Sequence, residues 1–186
     1  MLTIVQAPEA VLTQVAKLVQ KVNAEITSLI REMEESLTRA TDPEGVGLAA
    51  PQVGKSLRLF IVKEDPEAPL LVFINPEIKS TYDAPEKPNE PKPKRKKNGV
   101  KLEGCLSLNN IWGVVDRHDS VILAYTDGNG AKHEERFDGF LATIIQHEVD
   151  HLNGILFTRR VLEQGNRLYK SVKEKDGETV FEEIEI

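Results

Sequence analysis

The chain has 186 residues, 40% of them apolar, with a mean hydropathy of -0.33; this suits one globular domain and excludes a two-domain machine. Twenty-four Lys and Arg against 30 Asp and Glu leave a net charge of -6, which excludes a molecule built to coat DNA or an anionic membrane. The single Cys105 excludes an internal disulfide and suits a reducing compartment, and no leader-like or membrane-length apolar run stands in the sequence, so the expected address is the cytoplasm.

After an extended start at Ile4 to Pro8, apolar residues fall at Val11, Val15, Leu18, Val22, Ile26, Leu29, Met33 and Leu37. This three-or-four spacing predicts a long N-terminal amphipathic helix. It divides into two pieces if Asn23 caps the second, which should end before Asp42-Pro43. Leu57 to Lys63 and Leu70 to Asn75 read as strands bounded by Pro66, Pro69 and Pro76. Ile111 to Arg117, Ser120 to Tyr125 and Ala131 to Phe137 read as three more, the last two joined by the hairpin punctuation Asp127-Gly128-Asn129-Gly130. A second helix is predicted from an Asp138 N-cap to a C-cap at Asn153-Gly154, apolar on nearly all faces and therefore buried. The tail, about 166–186, carries a further hairpin signal at Asp176-Gly177. Locally pairing strands that outnumber helices predict an α+β domain over 1–186, with mainly antiparallel sheets around a central buried helix.

Residues 83–99, DAPEKPNEPKPKRKKNG, hold four prolines and no large apolar side chain. Such a segment cannot add to a core and reads as a solvated loop insertion.

The second helix contains His147-Glu148-Val149-Asp150-His151. Two imidazoles four apart lie one turn above the other on one helix face, the spacing a single divalent ion needs. Burying two imidazoles and an acid without partners would be expensive, which argues against an ordinary core helix. A catalytic site usually has three protein ligands and an open position for water. No histidine follows His151, and Glu163 is the first acid beyond it. The better third ligand is upstream in Glu103-Gly104-Cys105-Leu106-Ser107, where a lone thiol follows a small glycine; alone, Cys105 would read as a buried structural cysteine. Gly45-Val46-Gly47-Leu48-Ala49-Ala50-Pro51-Gln52-Val53-Gly54 reads as a loop lying against a ligand or simply as a tight connection, and it lacks nucleotide-binding spacing.

The three motifs GVGLAAPQVG, EGCLS and QHEVDHLNG, in this order and at these separations, resemble those of peptide deformylase. That family removes the N-formyl group from the formyl-methionine of newly made proteins, releasing formate. The resemblance spans about Ile4 to Phe157, including the INPEI strand at 74–78. It implies that Cys105, His147 and His151 hold one divalent metal, natively Fe(2+), with Zn(2+), Ni(2+) or Co(2+) able to substitute. It implies water in the fourth place, with Glu148 as general acid-base, and Gln52 with the backbone N–H of Leu106 holding the oxyanion. The peptide should lie as an added strand between Val46-Gly47 and Glu103-Gly104. Val46, Phe140, Thr143 and Ile144 should line the pocket for the first side chain, and Gln146 and Asp150 should orient the ligands and the helix.

This chain departs from the family in three places. Leu108-Asn109 stand where a variable residue and proline usually follow EGCLS, leaving that strand exit less rigid. The 83–99 insertion lengthens the link between INPEI and EGCLS, and the acidic FEEIEI end replaces a basic ribosome-docking helix. The expected partners are formyl-methionyl nascent peptides, with a transient ribosome contact through the basic run 92–97, no DNA or membrane, and a monomer. Two readings compete with deformylation: a general H-E-x-x-H peptidase and an inactive ribosome-associated metal-binding relative.

Overall fold

The computed structural model describes residues 2–40, 44–83, 102–173 and 178–185. Most of the 83–99 insertion, the basic run 92–97 and the Asp176-Gly177 turn therefore lie outside the described residues.

Two antiparallel sheets, three α-helices and two short 3-10 turns make up the regular structure of these residues. The first sheet has the order β1 (Gly47–Ala49), β2 (Leu59–Val62), β3 (Leu71–Tyr82), β6 (Ser120–Thr126), β7 (Lys132–Asp138). The second runs β4 (Glu103–Cys105), β5 (Leu108–Gly113), β8 (Leu168–Lys173), β9 (Thr179–Glu183). The helices are α1 (Ala24–Thr38), α2 (Gly139–Leu152) and α3 (Phe157–Glu163). The α+β, antiparallel reading is what the structure shows, and α2 is central.

The five-stranded sheet is covered on both faces, and β2 shows why. Its residues alternate: Leu59 and Ile61 join Met33, Leu37 and Leu48 under α1, whereas Phe60 and Val62 join Ile145, Val149 and Leu152 under α2. A strand buried on both sides must be apolar at every position, which accounts for the run Leu-Phe-Ile-Val. Beneath α2 Phe60 stacks on Phe73 at 4.7 Å between ring centroids, and Phe137 meets Phe73 edge-on at 5.6 Å.

Asn23 caps α1 as expected, its side chain accepting from Ile26 N at 3.0 Å. The preceding segment is not helical. Ala10–Thr13 form one 3-10 turn and residues 14–22 run as an extended strap. Its backbone groups are taken by other elements: Ala16 N donates to Leu152 O, Lys17 N to Ser56 O, and Arg58 N to Lys17 O. Along the strap Ala16 and Val19 are buried, while Val15 and Leu18 face solvent at 69% and 57% exposure. Tertiary hydrogen bonding overrides the helical spacing here.

Pro76 does not end a strand. β3 runs through it to Tyr82, with a register shift between Ile74 and Glu77. The break in pairing tolerates a residue with no N–H, and Asn75 turns through φ of 51° at that point. Its side chain clasps the strap, accepting from Val19 N at 2.9 Å and donating to Val19 O at 2.8 Å. β5 stops at Gly113, short of the expected Arg117, because 114–119 cross from one sheet to the other.

Asp138 precedes α2 but does not cap it through its side chain; its carboxylate instead accepts from Ser120 Oγ and Arg136 Nε. The C-terminal end is as read, with Asn153 as C-cap and Gly154 at φ of 69°. A Cβ on Gly154 would stand 2.7 Å from the Thr13 backbone, so the end of α2 and the strap meet without a side chain between them. α3 was absent from the sequence reading. It is seven residues long and buries Phe157 and Val161 against Cys105 and Leu168. None of the helices is long and apolar enough to cross a membrane, among the described residues.

Candidate active site

α2 has a polar stripe inside the protein. Gln146, Glu148, Asp150 and His151 are all buried, and each is matched to a group on a neighbouring element or directed at the site. The i, i+4 spacing puts the rings of His147 and His151 4.9 Å apart. β4 ends on Cys105 against this face, and Cys105 Sγ lies 3.2 Å from His151 Nε2. The ligand atoms of Cys105, His147 and His151 all lie within 4.8 Å of one another. A buried thiol and two imidazoles at this separation match the donor set of a borderline-soft divalent ion, and Glu148 Oε2 is buried beside them with no hydrogen-bond partner among the described residues. The site fits a metal ion on both counts.

Glu103, expected to face the peptide, lines the cavity but has its carboxylate engaged by His147 Nδ1 at 3.0 Å and by Arg117 Nε and Nη2 at 2.8 and 3.0 Å. The bond at Nδ1 leaves Nε2 of His147 as its ligating nitrogen and orients the ring. Arg117 Nη1 also donates to Asp150 Oδ2 at 2.6 Å, and Asp150 is held from its other side by Arg160 at 2.7 and 3.1 Å. Glu103, Arg117, Asp150 and Arg160 thus alternate in charge behind the ligands. Sequence reasoning found Glu103 and Asp150 and missed both arginines, which stand in no motif; a basic residue shielded between two acids is visible only after folding. Gln146 holds a main-chain loop rather than a ligand, accepting from His118 N and donating to His118 O and Ala142 O.

The electrostatics follow from this arrangement. Burial would raise the Glu103 carboxyl, but hydrogen bonds from His147 and Arg117 outweigh it and bring the pKa down to about 2. Burial pushes Glu148 up to about 7, with the cationic neighbour His147 opposing. For His147 burial is outweighed by hydrogen bonding to Cys105 and Glu103, and the pKa is raised; for His151 burial wins and the pKa is lowered.

Gln52 sits in the 3-10 turn Ala50–Val53, fully buried. Its Oε1 accepts from Ala49 N at 2.8 Å, which turns Nε2 toward Cys105 Sγ at 3.5 Å and Ser107 Oγ at 3.4 Å. Gly47 shows the closest approach in the site: a Cβ there would lie 2.5 Å from Glu148 Oε1 and 3.0 Å from Ile144 Cγ2. Only a glycine lets β1 pass this near the carboxylate.

These groups open into one cavity of about 450 Å³. Gln52, Cys105, Leu106, His147 and Glu148 line it, as do Val46, Gly47, Glu103, Gly104, Phe140, Thr143 and Ile144. Trp112, not singled out from the sequence, forms part of its wall. The cavity lies between β1 and β4, which are the edge strands of their respective sheets.

A carboxylate beside a Cys-His-His cluster, two of its members buried and all of it next to an open cavity, belongs to the chemistry of metal-dependent hydrolases. Residues 1–167 match the polypeptide deformylase family. A peptide deformylase of Chlorobium luteolum is 40% identical over 164 residues, covering 86% of this chain and 77% of that one. The crystal structure of a peptide deformylase from Legionella pneumophila superposes with a TM-score of 0.71 at 34% identity, covering 86% and 85% of the two chains. A Met-Ala-Ser-bound peptide deformylase from Acinetobacter baumannii superposes with a TM-score of 0.69 at 33% identity, covering 86% and 98%. The chain belongs to the polypeptide deformylase family, hydrolases that remove the formyl group from N-terminal formyl-methionine.

Proposed function

We propose that Cys105, His147 and His151 hold the metal ion and that Glu148, Gln52 and Leu106 carry out deformylation around it. The convergence of the three ligand atoms within 4.8 Å, beside a cavity that Cys105, His147, Gln52 and Glu148 line, carries this reading. A divalent ion there would supply Lewis-acid chemistry, lowering the pKa of a water and polarising the formyl oxygen. Ferrous iron is the native ion in this reading, with zinc, nickel or cobalt as substitutes; one thiol and two imidazoles suit all four.

Glu148 takes a proton from the attacking water and delivers it to the departing α-amine as the formyl C–N bond breaks, so the products are formate and a free N-terminus. Gln52 Nε2, turned to the site by the bond at Oε1, and the Leu106 backbone N–H donate to the oxygen on which negative charge grows. Glu103 orients His147 through Nδ1. The peptide backbone adds as a strand in the gap between β1 and β4, and its methionine side chain enters the pocket of Val46, Phe140, Thr143 and Ile144.

The wider reading is one catalytic domain over 1–186, cytoplasmic and monomeric, meeting the ribosome transiently through 92–97. Deletion of residues 86–98 should then reduce co-sedimentation with ribosomes. The central test compares formyl-Met-Ala-Ser, acetyl-Met-Ala-Ser and unblocked Met-Ala-Ser. Formate release from the first with no chain cleavage in any of them is expected; cleavage of internal bonds regardless of the blocking group would make the protein a general peptidase.

A further inference from the structure

β9 is the last strand of the chain, and it reaches the substrate cavity indirectly. Trp112 on β5 stands directly opposite Gly104 on β4. Gly104 has no side chain, and the Trp112 ring occupies that space: a Cβ on Gly104 would lie 2.7 Å from Trp112 Cζ3. Both residues line the cavity. The indole therefore covers β4 at the point where the peptide would pair.

Nothing polar fixes that ring. Trp112 Nε1 is buried and has no hydrogen-bond partner among the described residues, so packing sets its orientation. On its outer side the packing comes from Phe181, whose ring meets it edge-on with centroids 5.7 Å apart and planes at 85°. The register explains how a residue two strands away gets there. Trp112 is opposite Tyr169 on β8, Tyr169 is opposite Glu183 on β9, and Phe181 is two residues before Glu183 on the same face of β9. Phe181 itself is opposite the small Ser171, which leaves its ring room to lean along the face toward Trp112. Phe181 is 43% exposed, so the Trp112 contact covers one side of its ring and solvent reaches the other.

We propose that Phe181 is a positioning residue for substrate specificity: it holds Trp112 against Gly104 and so shapes the cavity wall met by the peptide residues that follow the methionine. The proposal rests on the strand-addition reading given above. It assigns the C-terminal hairpin a part in reading substrates, acting on peptide length and the second and third side chains rather than on the chemistry.

Trp112 is the sole tryptophan of the chain, so intrinsic fluorescence reports on this residue alone. The test uses the full-length metal-loaded protein, Phe181→Ala and Phe181→Leu as variants, Phe181→Tyr as the conservative rescue, and Val180→Ala as a control on the opposite strand face. Phe181→Ala and Phe181→Leu should raise KM for formyl-Met-Ala-Ser by about threefold to tenfold, the range an edge-on aromatic pair carries. Values of kcat, and KM for formyl-methionine amide, which has no following residue, should stay within about twofold. Quenching of Trp112 by acrylamide should increase in both variants, and Phe181→Tyr should restore KM and quenching together. Met-Ala-Ser should perturb Trp112 emission in the parent protein and bind more weakly to Phe181→Ala. Equal KM changes for the long and short substrates, unchanged KM for both, or Trp112 emission indifferent to Met-Ala-Ser would each overturn the proposal. A parent protein that released no formate would instead fail the deformylase reading, and the Met-Ala-Ser titration would still decide the role of Phe181.

Discussion

Replacing Gly47 by alanine should damage catalysis while leaving the fold and the metal in place. The backbone at Gly47 is not in the left-handed region, so alanine costs no conformational strain there; only the added methyl matters. That methyl would lie 2.5 Å from Glu148 Oε1 and 3.0 Å from both Glu148 Cδ and Ile144 Cγ2. Relief requires the carboxylate to retreat by about 0.5 to 1 Å, since carbon–oxygen contacts this short are repulsive. Glu148 is 3% exposed and has packed neighbours, so it moves off its working position rather than out to solvent. Misplacing a reacting group by about 1 Å costs on the order of 10²-fold in rate, and losing general acid-base catalysis entirely costs about 10²- to 10⁴-fold. Gly47→Ala should therefore lower kcat for formyl-Met-Ala-Ser by about tenfold to a hundredfold. Formate release measured beside metal content and thermal melting separates the effects. The reasoning fails if kcat stays within twofold of the parent, or if metal is lost in proportion to activity.

Glu148→Ala should retain the metal yet lose kcat by about 10²-fold or more, because all three ligands remain while the proton carrier is gone; near-parental formate release would remove Glu148 from the mechanism. Cys105→Ala leaves two imidazoles, so the purified protein should carry much less metal, and unchanged metal analysis would make the thiol structural. The Glu103 carboxyl has its pKa depressed from 4.5 in an unfolded chain to about 2 in the folded one. Its contribution to stability is thus full above about pH 4.5 and lost as the pH falls toward 2. Urea midpoints of the metal-free protein between pH 6 and 3 should fall more steeply than those of Glu103→Gln, and parallel curves would refute the linkage. Gly154→Ala combines a φ of 69° with a Cβ 2.7 Å from the Thr13 backbone, so it should destabilise by about 2 kcal/mol or more; a melting temperature unchanged within error would count against that close approach.

The parts of this protein that could be read from its sequence are those in which local spacing and chemistry coincide. His147 and His151 share a face because a helix repeats every 3.6 residues, and the need for a third ligand pointed to the only thiol. Asn23 and Asn153-Gly154 marked helix ends through capping chemistry that needs no tertiary partner. The misreadings occur where long-range bonding decides. The strap at 14–22 has helical spacing but gives its hydrogen bonds to Leu152, Ser56 and Arg58. Pro76 looked like a strand end, but β3 absorbs it by shifting register. Arg117 and Arg160 carried no pattern, since their significance lies in two acids brought together from positions 103 and 150. Trp112 likewise matters through an absence of side chain on the neighbouring strand, at Gly104.

The strap has a kinetic meaning as well. Ala16 is bonded to the last residue of the helix that carries both histidines, and Gln6 reaches Leu106, 100 residues away, beside the cysteine. Contacts of such sequence separation require large loops to close before they return any stabilisation, and chains dominated by them fold slowly. Refolding should restore helical signal well before it restores uptake of a metal ion. Thiol and imidazoles come together only when the strand ending in Cys105 docks on α2, a contact between residues 46 apart in sequence.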